Sequence, residues 1–351
     1  MKKNGVLSKI AMMLAVALLA TSCSSSKKNE KVVEKNDKEQ VLRVAINPYL
    51  NSLPNIIIEQ NKLDEKHGFK METTMFSSGA TMNEALAADE WDVGEMGAAA
   101  VTGVANYDML VIGEVLESLD GLGVFAKPDS EIAKSTPANS SIKDIKGNAD
   151  TVKGKTISLP VGTAQHFTTL KWLGEIGLTS DDVNIVNMDS AQAYQSLVAG
   201  EVDLTALNVP TFLKAKEDGM VEVGNLANLG TRYVDMICAN RKIVENNPEL
   251  VEKYLKAFFE ANEIIESDKD KAAEIMYEWL KSEGSETSKE DNLADLKRAN
   301  YFSYDQMKER VQDEKFGKFA KELGNFYIEQ GQLIEEDSEK FENNILDKFF
   351  K

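Results

Sequence analysis

One helix–turn–strand pattern occurs twice in this chain, and this repetition constrains the fold more than any other feature. The segments Leu86–Met96 and Leu197–Leu207 align at a constant offset of 111 residues, from Leu86 to Leu197 and from Asp92 to Asp203. In both, a stretch rich in small and apolar residues passes through an acidic turn into a β-prone run. The repetition predicts two α/β lobes built on one plan. The alternative is that Ala-x-Glu-x-Asp is simply a common turn between a helix and a strand.

The segment before the second copy has a strand, a glycine turn and a helix. Thr156–Leu159 is a β-prone run, Gly162 interrupts it, and apolar residues from Phe167 onward recur at helical spacing. The first turn of such a helix has free N–H groups and the positive end of the helix dipole, which favour a carboxylate, sulfonate or phosphate. Val44–Pro54 has the same pattern, so we expect each lobe to present strand-end loops to the other.

The N-terminus has the pattern of an export signal. Three lysines among the first nine residues precede the apolar run Ile10–Ala20, which is too short to span a bilayer. We therefore interpret residues 1–22 as a signal peptide, and the small residues before Cys23 resemble a bacterial lipobox. Lipidation of Cys23 would anchor the protein, although the cysteine could also be incidental to a plain secretory signal. Residues 23–40, charged and poor in apolar side chains, are predicted to be a flexible tether.

Composition restricts the classes of ligand and chemistry. About 42% hydrophobic residues in a chain of 351 can bury a core large enough for two domains, and the net charge of −18 excludes nucleic acid as a partner. Two histidines, and no zinc or phosphate-loop motif, predict neither a metal site nor a cofactor. His67 is interpreted as a helix-end residue. Cys238 is interpreted as a buried hydrophobic side chain, with a reactive thiol as the alternative.

The order of segments along the body resembles the nitrate/sulfonate/taurine-type substrate-binding proteins of ABC importers, a group that includes binders of thiamine-pyrimidine precursors. The matching segments are Leu42–Ile46, Leu63–Phe69, Gly79–Gly97, Lys153–Ile157, Gly162–His166, Ala191–Pro210 and Asn247–Val251. The resemblance implies an α/β type II periplasmic-binding-protein fold, with two lobes that close on a ligand held in the cleft between them. Lobe one would comprise residues 41–122 plus 233–351, and lobe two residues 123–232.

The resemblance also implies a set of ligand-binding residues on the strand-end loops. They are Asn47, Tyr49, Asn51, Gly79, Gly97, Ala98, Thr163, Ala164, His166, Asn208 and Asp235. Three roles stay open. His166 faces the cleft or packs in the first helical turn, Tyr49 bounds the ligand or packs, and Asp235 binds a ligand amine or serves a structural partner. Asp92 and Asp203 are assigned to their turns, and Asp129–Thr151 is predicted to be a surface loop.

The function that the resemblance implies is that of a monomeric, lipid-anchored binding protein on the extracytoplasmic face of the cell membrane. It would deliver a small molecule to an ABC permease and its ATPase subunits. An alkyl or amino sulfonate is the first expectation, before a thiamine-pyrimidine precursor, another aromatic compound or nitrate. The rival is an enzyme on the same fold, similar to a pyrimidine synthase. The amphipathic helices predicted after Asn247 are expected to pack against lobe one, with a partner-binding helix as the alternative.

Overall fold

Two β-sheets, each flanked by helices, organise the chain. The computed structural model describes residues 40–118, 120–135, 144–285 and 287–351. The predicted signal peptide, the predicted lipidation site Cys23 and residues 24–39 of the predicted tether lie outside the described residues. No helix in the described ranges is long and apolar enough to cross a bilayer.

The strands are β1 Val41–Ile46, β2 Lys70–Met75, β3 Val93–Met96, β4 Met109–Ser118, β5 Leu122–Ala126, β6 Thr156–Leu159, β7 Asn184–Asn187, β8 Leu204–Asn208, β9 Val221–Asn225, β10 Tyr233–Asn240 and β11 Ala299–Tyr301. The helices are α1 Leu53–Asn61, α2 Leu63–His67, α3 Gly79–Ala87, α4 Ala99–Asn106, α5 Glu131–Lys134, α6 Ala149–Val152, α7 Ala164–Glu175, α8 Ser190–Ala199, α9 Thr211–Glu217, α10 Arg241–Asn246, α11 Pro248–Ser267, α12 Lys269–Ser282, α13 Lys289–Arg298, α14 Tyr304–Gln312, α15 Lys318–Glu329 and α16 Ser338–Asn343. Short 3₁₀ turns occupy Leu50–Ser52, Ser180–Asp182 and Glu335–Asp337.

The two sheets share a local arrangement. The first has the order β11-β4-β10-β3-β1-β2, and the second has the order β7-β6-β8-β5-β9. In each, a central strand pairs in parallel with two neighbours, β1 with β2 and β3, and β6 with β7 and β8. An antiparallel strand follows in both, β10 beside β3 and β5 beside β8. This arrangement agrees with the predicted duplication. The exact lobe boundaries stay a prediction.

The repeated acidic turns hold equivalent positions in the two sheets. A carboxylate oxygen of Asp92 accepts a hydrogen bond from the backbone N–H of Arg43 at 2.9 Å, and that of Asp203 accepts one from Thr156 at 2.9 Å. The backbone N–H of each aspartate donates in return to the carbonyl of the same residue. Each carboxylate therefore joins the start of its own strand to the start of the neighbouring parallel strand. The assignment of both aspartates to structural turns is confirmed.

The helices after β10 pack more widely than the sequence predicts. Tyr254 and Phe258 of α11 belong to the core beneath the first sheet. In α15, however, Phe319 and Phe326 pack edge-on against Phe167 of α7, which lies beside the second sheet, with ring centroids 6.2 and 5.4 Å apart. The helices after β10 therefore pack against the first sheet and its helices, as predicted, and α15 also packs against α7. The apolar face of α15 is wide enough to bury aromatic rings against two neighbours. Helical periodicity alone does not predict which neighbour each ring contacts.

Three smaller predictions are also resolved. His67 ends α2 before the left-handed Gly68, and its Nε2 lies 2.9 Å from Glu260 Oε2. Cys238 is fully buried in β10, where burial raises the pKa of its thiol well above the usual range. The predicted surface loop Asp129–Thr151 contains α5 and α6 among its described residues, because Ser130 and Asn148 cap the first turns of these short helices.

Candidate functional site

A cavity of about 110 Å³ lies where the loops after β1, β3, β6 and β8 converge. In sheets of this type, ligands bind beyond the carboxyl ends of the parallel strands, where neighbouring loops diverge. The structure brings together all the predicted site residues except His166. Those that line the cavity are Asn47, Tyr49, Asn51, Gly79, Gly97, Ala98, Thr163, Ala164, Asn208 and Asp235.

Two asparagines on the first-sheet side have unused hydrogen-bonding capacity. Asn47 Nδ2 donates to the carbonyl of Glu95 at 2.9 Å, and Asn51 Nδ2 donates to Asp235 Oδ1 at 3.0 Å. Because both contacted oxygens are acceptors, these contacts orient each amide with its nitrogen towards the protein. Asn47 Oδ1 and Asn51 Oδ1 are buried and have no partner among the described residues. Such groups are rare in native proteins, where most buried polar atoms have a hydrogen-bond partner.

Asp235 enters the cavity from β10, on the chain segment that returns to the first sheet. The hydrogen bond from Asn51 provides the structural partner that the sequence left open, and the side chain also lines the cavity. Burial raises the pKa of this carboxyl to about 7, and the negative charge of Asp295 contributes in the same direction. Ionised Asp235 is therefore electrostatically unfavourable in the ligand-free site.

A buried polar network lies behind the residues that line the cavity on the first-sheet side, which we call the first wall. Glu95 is fully buried, and its carboxyl accepts hydrogen bonds from Asn55 Nδ2 at 2.5 Å and from the Tyr254 hydroxyl. Burial raises the pKa of Glu95 to about 8 against the effect of these donors. Because the backbone carbonyl of Glu95 holds Asn47, the network determines where that amide lies.

Two predicted glycines have steric reasons for their presence. A Cβ at Gly97 would lie 1.9 Å from the Tyr233 hydroxyl, which accepts a hydrogen bond from the backbone N–H of Ala98. A Cβ at Gly79 would lie 2.6 Å from the Cβ of Ala99. Only glycine therefore allows these backbones to approach so closely.

On the side of the cavity next to the second sheet, the polar side chains form hydrogen bonds within the protein. Gln165 Nε2 donates to Ser190 Oγ at 2.8 Å and to Asn208 Oδ1 at 2.9 Å. Thr163 directly precedes α7, and its Oγ1 donates a hydrogen bond to the carbonyl of Pro160 at 2.6 Å. From the opposite wall, Tyr49 also lines the cavity, and burial raises the pKa of its hydroxyl while Asn208 and Ser190 act in the opposite direction. Tyr49 thus lies near side chains on the second-sheet side.

His166 does not reach the cavity. It is 3% exposed, its Nδ1 accepts a hydrogen bond from the backbone N–H of Gly162 at 3.2 Å, and its ring lies 6.2 Å from that of Tyr327. Burial lowers its pKa to about 4, so the ring is neutral near pH 7. Of the two roles left open, the structure places it in the packed one, because the turn at Gly162 provides a partner for the imidazole.

Several residues that line the cavity were not predicted from the sequence. Gln165 was adjacent to predicted residues, and its position in the first turn of a helix could have identified it. Asp295 comes from α13, Asp120 from the link between the sheets, and Tyr233 from the start of β10. Asp295 pairs with Arg298 at 2.7 Å, and burial raises its pKa to about 6. No local pattern marks any of these three as a cavity residue.

The cavity wall contains carboxylates without a lining cation. Within the described ranges, no lysine, arginine or histidine is among the lining residues. The same ranges contain no cluster of three or more His, Cys, Asp or Glu side chains arranged to hold a metal ion. The arrangement can bind a small polar molecule through hydrogen bonds and charge.

Comparisons with known proteins agree with this geometry. The profile of the NMT1-like family matches residues 35–281. A protein of Brachyspira hyodysenteriae, provisionally named an ABC transporter periplasmic binding protein, is 34% identical over 95% of this chain and 94% of its own length. A Bacillus subtilis protein, provisionally named an aliphatic sulfonates-binding protein, is 25% identical over 76% of each chain.

A solved structure shows the same fold. The periplasmic aliphatic sulphonate binding protein of Escherichia coli superposes with a TM-score of 0.66 at 19% sequence identity, covering 88% of this chain and 92% of its own. The predicted periplasmic-binding-protein fold, with two α/β lobes around a cleft, is confirmed. By its profile match and its relationship to the Brachyspira protein, the chain belongs to the NMT1-like family.

Proposed function

We propose that this protein is an extracytoplasmic solute-binding lipoprotein that captures a small organic molecule between its lobes and delivers it to an ABC permease. The observation that carries the proposal is the cavity itself. It lies at the converging strand ends of both sheets, and the polar side chains of Asn51, Asn208 and Asp235 line it. Such concave sites with a few convergent polar groups are typical of small-molecule binding. The names of the relatives support the class of function.

Closure of the lobes would couple binding to delivery. Residues 41–122 plus 233–351 would form one lobe, and residues 123–232 the other. A solute that touches both walls binds the closed form better than the open form, and this difference shifts the population. Tyr49 supports this mechanism, because it lines the cavity together with Asn208, and Asn208 and Ser190 are near enough to its hydroxyl to lower its pKa. The closed protein would then dock on a permease powered by paired ATPase subunits.

Attachment to the cell would come from the N-terminus. The signal peptide would be removed before Cys23, and two acyl chains on the processed cysteine would be enough for stable anchoring. Residues 24–40 would link the anchor to the body, which would act as a monomer on the outer face of the cytoplasmic membrane. Neither a cofactor nor catalytic chemistry is part of the proposal.

An amino or alkyl sulfonate is the first class of solute to consider, because relatives carry sulfonate in their names. The sulfonate would meet the N-terminal turn of α7, where Thr163 and Ala164 line the cavity and no side chain caps the helix. A thiamine-pyrimidine precursor, another aromatic compound and nitrate are the alternatives.

Fractionation and a binding screen together test the function. The full-length protein should separate with membranes when expressed in a bacterium that processes lipoproteins, and the C23S variant should not. The purified body, residues 39–351, should show a melting midpoint that rises with the concentration of one solute class. An uncleaved N-terminus would contradict the anchor. The absence of any stabilising solute among sulfonates, taurine, nitrate and vitamin precursors would contradict the binding function.

A further inference from the structure

A second cavity, a groove of about 370 Å³, lies between α7 and the segment from α14 to α15. It shares no lining residue with the cavity described above. The chain carries 58 acidic and 40 basic residues, yet the acidic side chains that line this groove are only Glu117 and Glu322. Its cationic lining residues are Lys171, Arg232, Arg310, Lys315 and Lys318. We call it the basic groove, and its charge is opposite to that of the protein as a whole.

Aromatic packing holds one of these cations in place. Phe167 of α7 packs edge-on against Phe319 and Phe326 of α15, and all three rings line the groove. One turn further along α7, Lys171 Nζ lies 4.9 Å from the centroid of the Phe326 ring and 6.0 Å from that of Phe167. Cations are attracted to the faces of such rings. The ammonium group of Lys171 is therefore positioned by the same contacts that join α7 to α15.

A buried carboxylate holds a second cation in place. Arg310 Nε donates to Glu114 Oε2 at 2.5 Å, and the guanidinium lies 4.5 Å from the centroid of the Phe302 ring. Glu114 Oε1 accepts the backbone N–H of Gly317 at 3.0 Å, so the same side chain also fixes the turn before α15. Glu114 uses one of the five N–H donors of a guanidinium. Arg310 therefore lines the groove as an oriented cation.

The other three cations are exposed and adaptable. The side chains of Arg232, Lys315 and Lys318 are 72%, 59% and 67% exposed. Each has an acidic neighbour, at distances of 2.9, 2.8 and 3.7 Å. Exposed ion pairs of this kind contribute little free energy, so these side chains can turn towards an anion at little cost. The basic groove thus combines two positioned cations with three mobile ones.

We propose that the basic groove is a second binding site, which takes a small molecule that carries a multivalent oxyanion such as a phosphate group. Several cations around one point favour a divalent group over a monovalent one, because each adds its own attraction. The volume exceeds what a phosphate alone needs, and the rings of Phe319 and Phe326 offer apolar surface to an attached organic part.

Occupation of the groove would join parts of the two sheets. Lys171 lies on α7, which packs beside the second sheet, whereas α15 packs against α4 of the first. Gly230, Thr231 and Arg232, which also line the groove, belong to the link that returns the chain from β9 to β10. The site goes beyond the proposed function and does not depend on it. Its failure would leave the binding function of the other cavity untouched.

Calorimetry with simple anions tests the site. The purified body is titrated with inorganic phosphate, pyrophosphate and acetate at fixed ionic strength and pH 7.5. One phosphate or pyrophosphate should bind per chain, at least ~10-fold more tightly than acetate, and the affinity should fall as ionic strength rises. Acetate affinity equal to that of both phosphate compounds would overturn the preference for a multivalent oxyanion.

Two variants with opposite expected effects assign binding to the groove. Lys171→Gln should weaken phosphate binding at least ~5-fold, and Glu322→Gln should strengthen it ~2- to 5-fold, because the first removes an attractive charge and the second a repulsive one. Lys256→Gln, at an exposed position of α11, is the matched control and should bind as the parent does. Melting without phosphate shows that each variant is folded. Unchanged affinity in both groove variants would place the anion elsewhere, and would overturn the inference.

Sedimentation with vesicles separates the two sources of a phosphate group. The body is mixed with vesicles of phosphatidylglycerol or of phosphatidylcholine. Because the net charge of −18 opposes contact with an anionic surface, we expect the body to stay in solution while it binds free phosphate. Sedimentation with phosphatidylglycerol alone, lost in Lys171→Gln, would instead assign the groove to a lipid headgroup. Binding to neither free phosphate compounds nor vesicles would overturn the site.

Discussion

The two walls of the cavity, the first-sheet side and the second-sheet side, differ in how many of their buried polar groups have hydrogen-bond partners within the protein. On the second-sheet side, Gln165 joins Ser190 and Asn208, so the polar groups are paired before any solute arrives. On the first-sheet side, Asn47 and Asn51 retain buried oxygens without partners. The sheets behind the walls follow one plan, so the difference arises from the loop residues. Two sheets of similar arrangement therefore carry loops that differ in how fully their buried polar groups are paired.

This difference has energetic consequences. Buried acceptors without partners cost free energy in the folded protein, because they lose their hydrogen bonds to water and gain none in return. Where the polar groups are already hydrogen-bonded to one another, little free energy is lost when no solute is bound. These groups are also held in place before a solute binds. The following variants test each side, beginning with the largest expected change in the free energy of unfolding.

Gly97→Ala should damage the first wall most. The added Cβ would lie 1.9 Å from the Tyr233 hydroxyl and 2.6 Å from the ring, and Tyr233 is itself buried. Such overpacking should cost about 3 kcal/mol in urea denaturation. Gly174→Ala in α7 is the matched control, because no atom lies within 4 Å of its added Cβ. It should leave stability unchanged or raise it by about 0.5–1 kcal/mol. Equal effects at the two sites would contradict the steric argument.

Tyr254→Phe should remove the support of the first wall. The lost hydroxyl leaves Glu95 without one of its donors and takes a partner from Asn55, which should cost about 2 kcal/mol. Tyr107→Phe, at the half-exposed end of α4, should change the unfolding free energy by less than about 0.5 kcal/mol. If Tyr254→Phe is as stable as the parent, the Glu95 network does not support the wall.

Gln165→Leu should test the second wall with a smaller effect. Ser190 and Asn208 both lose the donor that joins them, and water can replace part of it, so about 1–2 kcal/mol is expected. Gln192→Leu on the exposed face of α8 controls for the change in side-chain chemistry. A loss in Gln165→Leu that matches the control would show that this wall is not organised by its glutamine.

The pH dependence of stability should also distinguish the walls, by a shift of about a few degrees in the melting midpoint. Native Glu95 and Asp235 have pKa values of about 8 and 7, while unfolded carboxyls ionise near 4. Between pH 6.5 and 8.5 the native state therefore binds more protons than the unfolded state, and the midpoint of the ligand-free protein should fall as pH rises.

Two features sharpen that measurement. His166 has a lowered pKa of about 4, so it acts in the opposite direction, but only below about pH 6.5, where the unfolded imidazole gains a proton. Glu95→Gln should flatten the decline, because it removes the group with the higher pKa. A profile that is level or rising between pH 6.5 and 8.5 in the parent would show that the first wall does not hold protonated carboxyls.

The sequence by itself determined the local elements and much of the cavity. Periodicity located β6 and α7, and the repeated turn located Asp92 and Asp203, because these signals depend on residues close together in the chain. The loops after β1 and β3 were identified for the same reason, since parallel strands bring their carboxyl ends together. The resemblance to a family of binding proteins then connected these loops to one ligand.

Only the tertiary structure decided which polar groups are satisfied. His166 turned out to accept the N–H of Gly162 and to pack away from the cavity, while Asp295 reached it from a distant helix. The unpaired oxygens of Asn47 and Asn51 emerge only once every neighbour has been placed. Hydrogen-bond satisfaction and desolvation depend on residues far apart in the chain, so no local pattern contains them. These non-local quantities distinguish the two walls of the cavity.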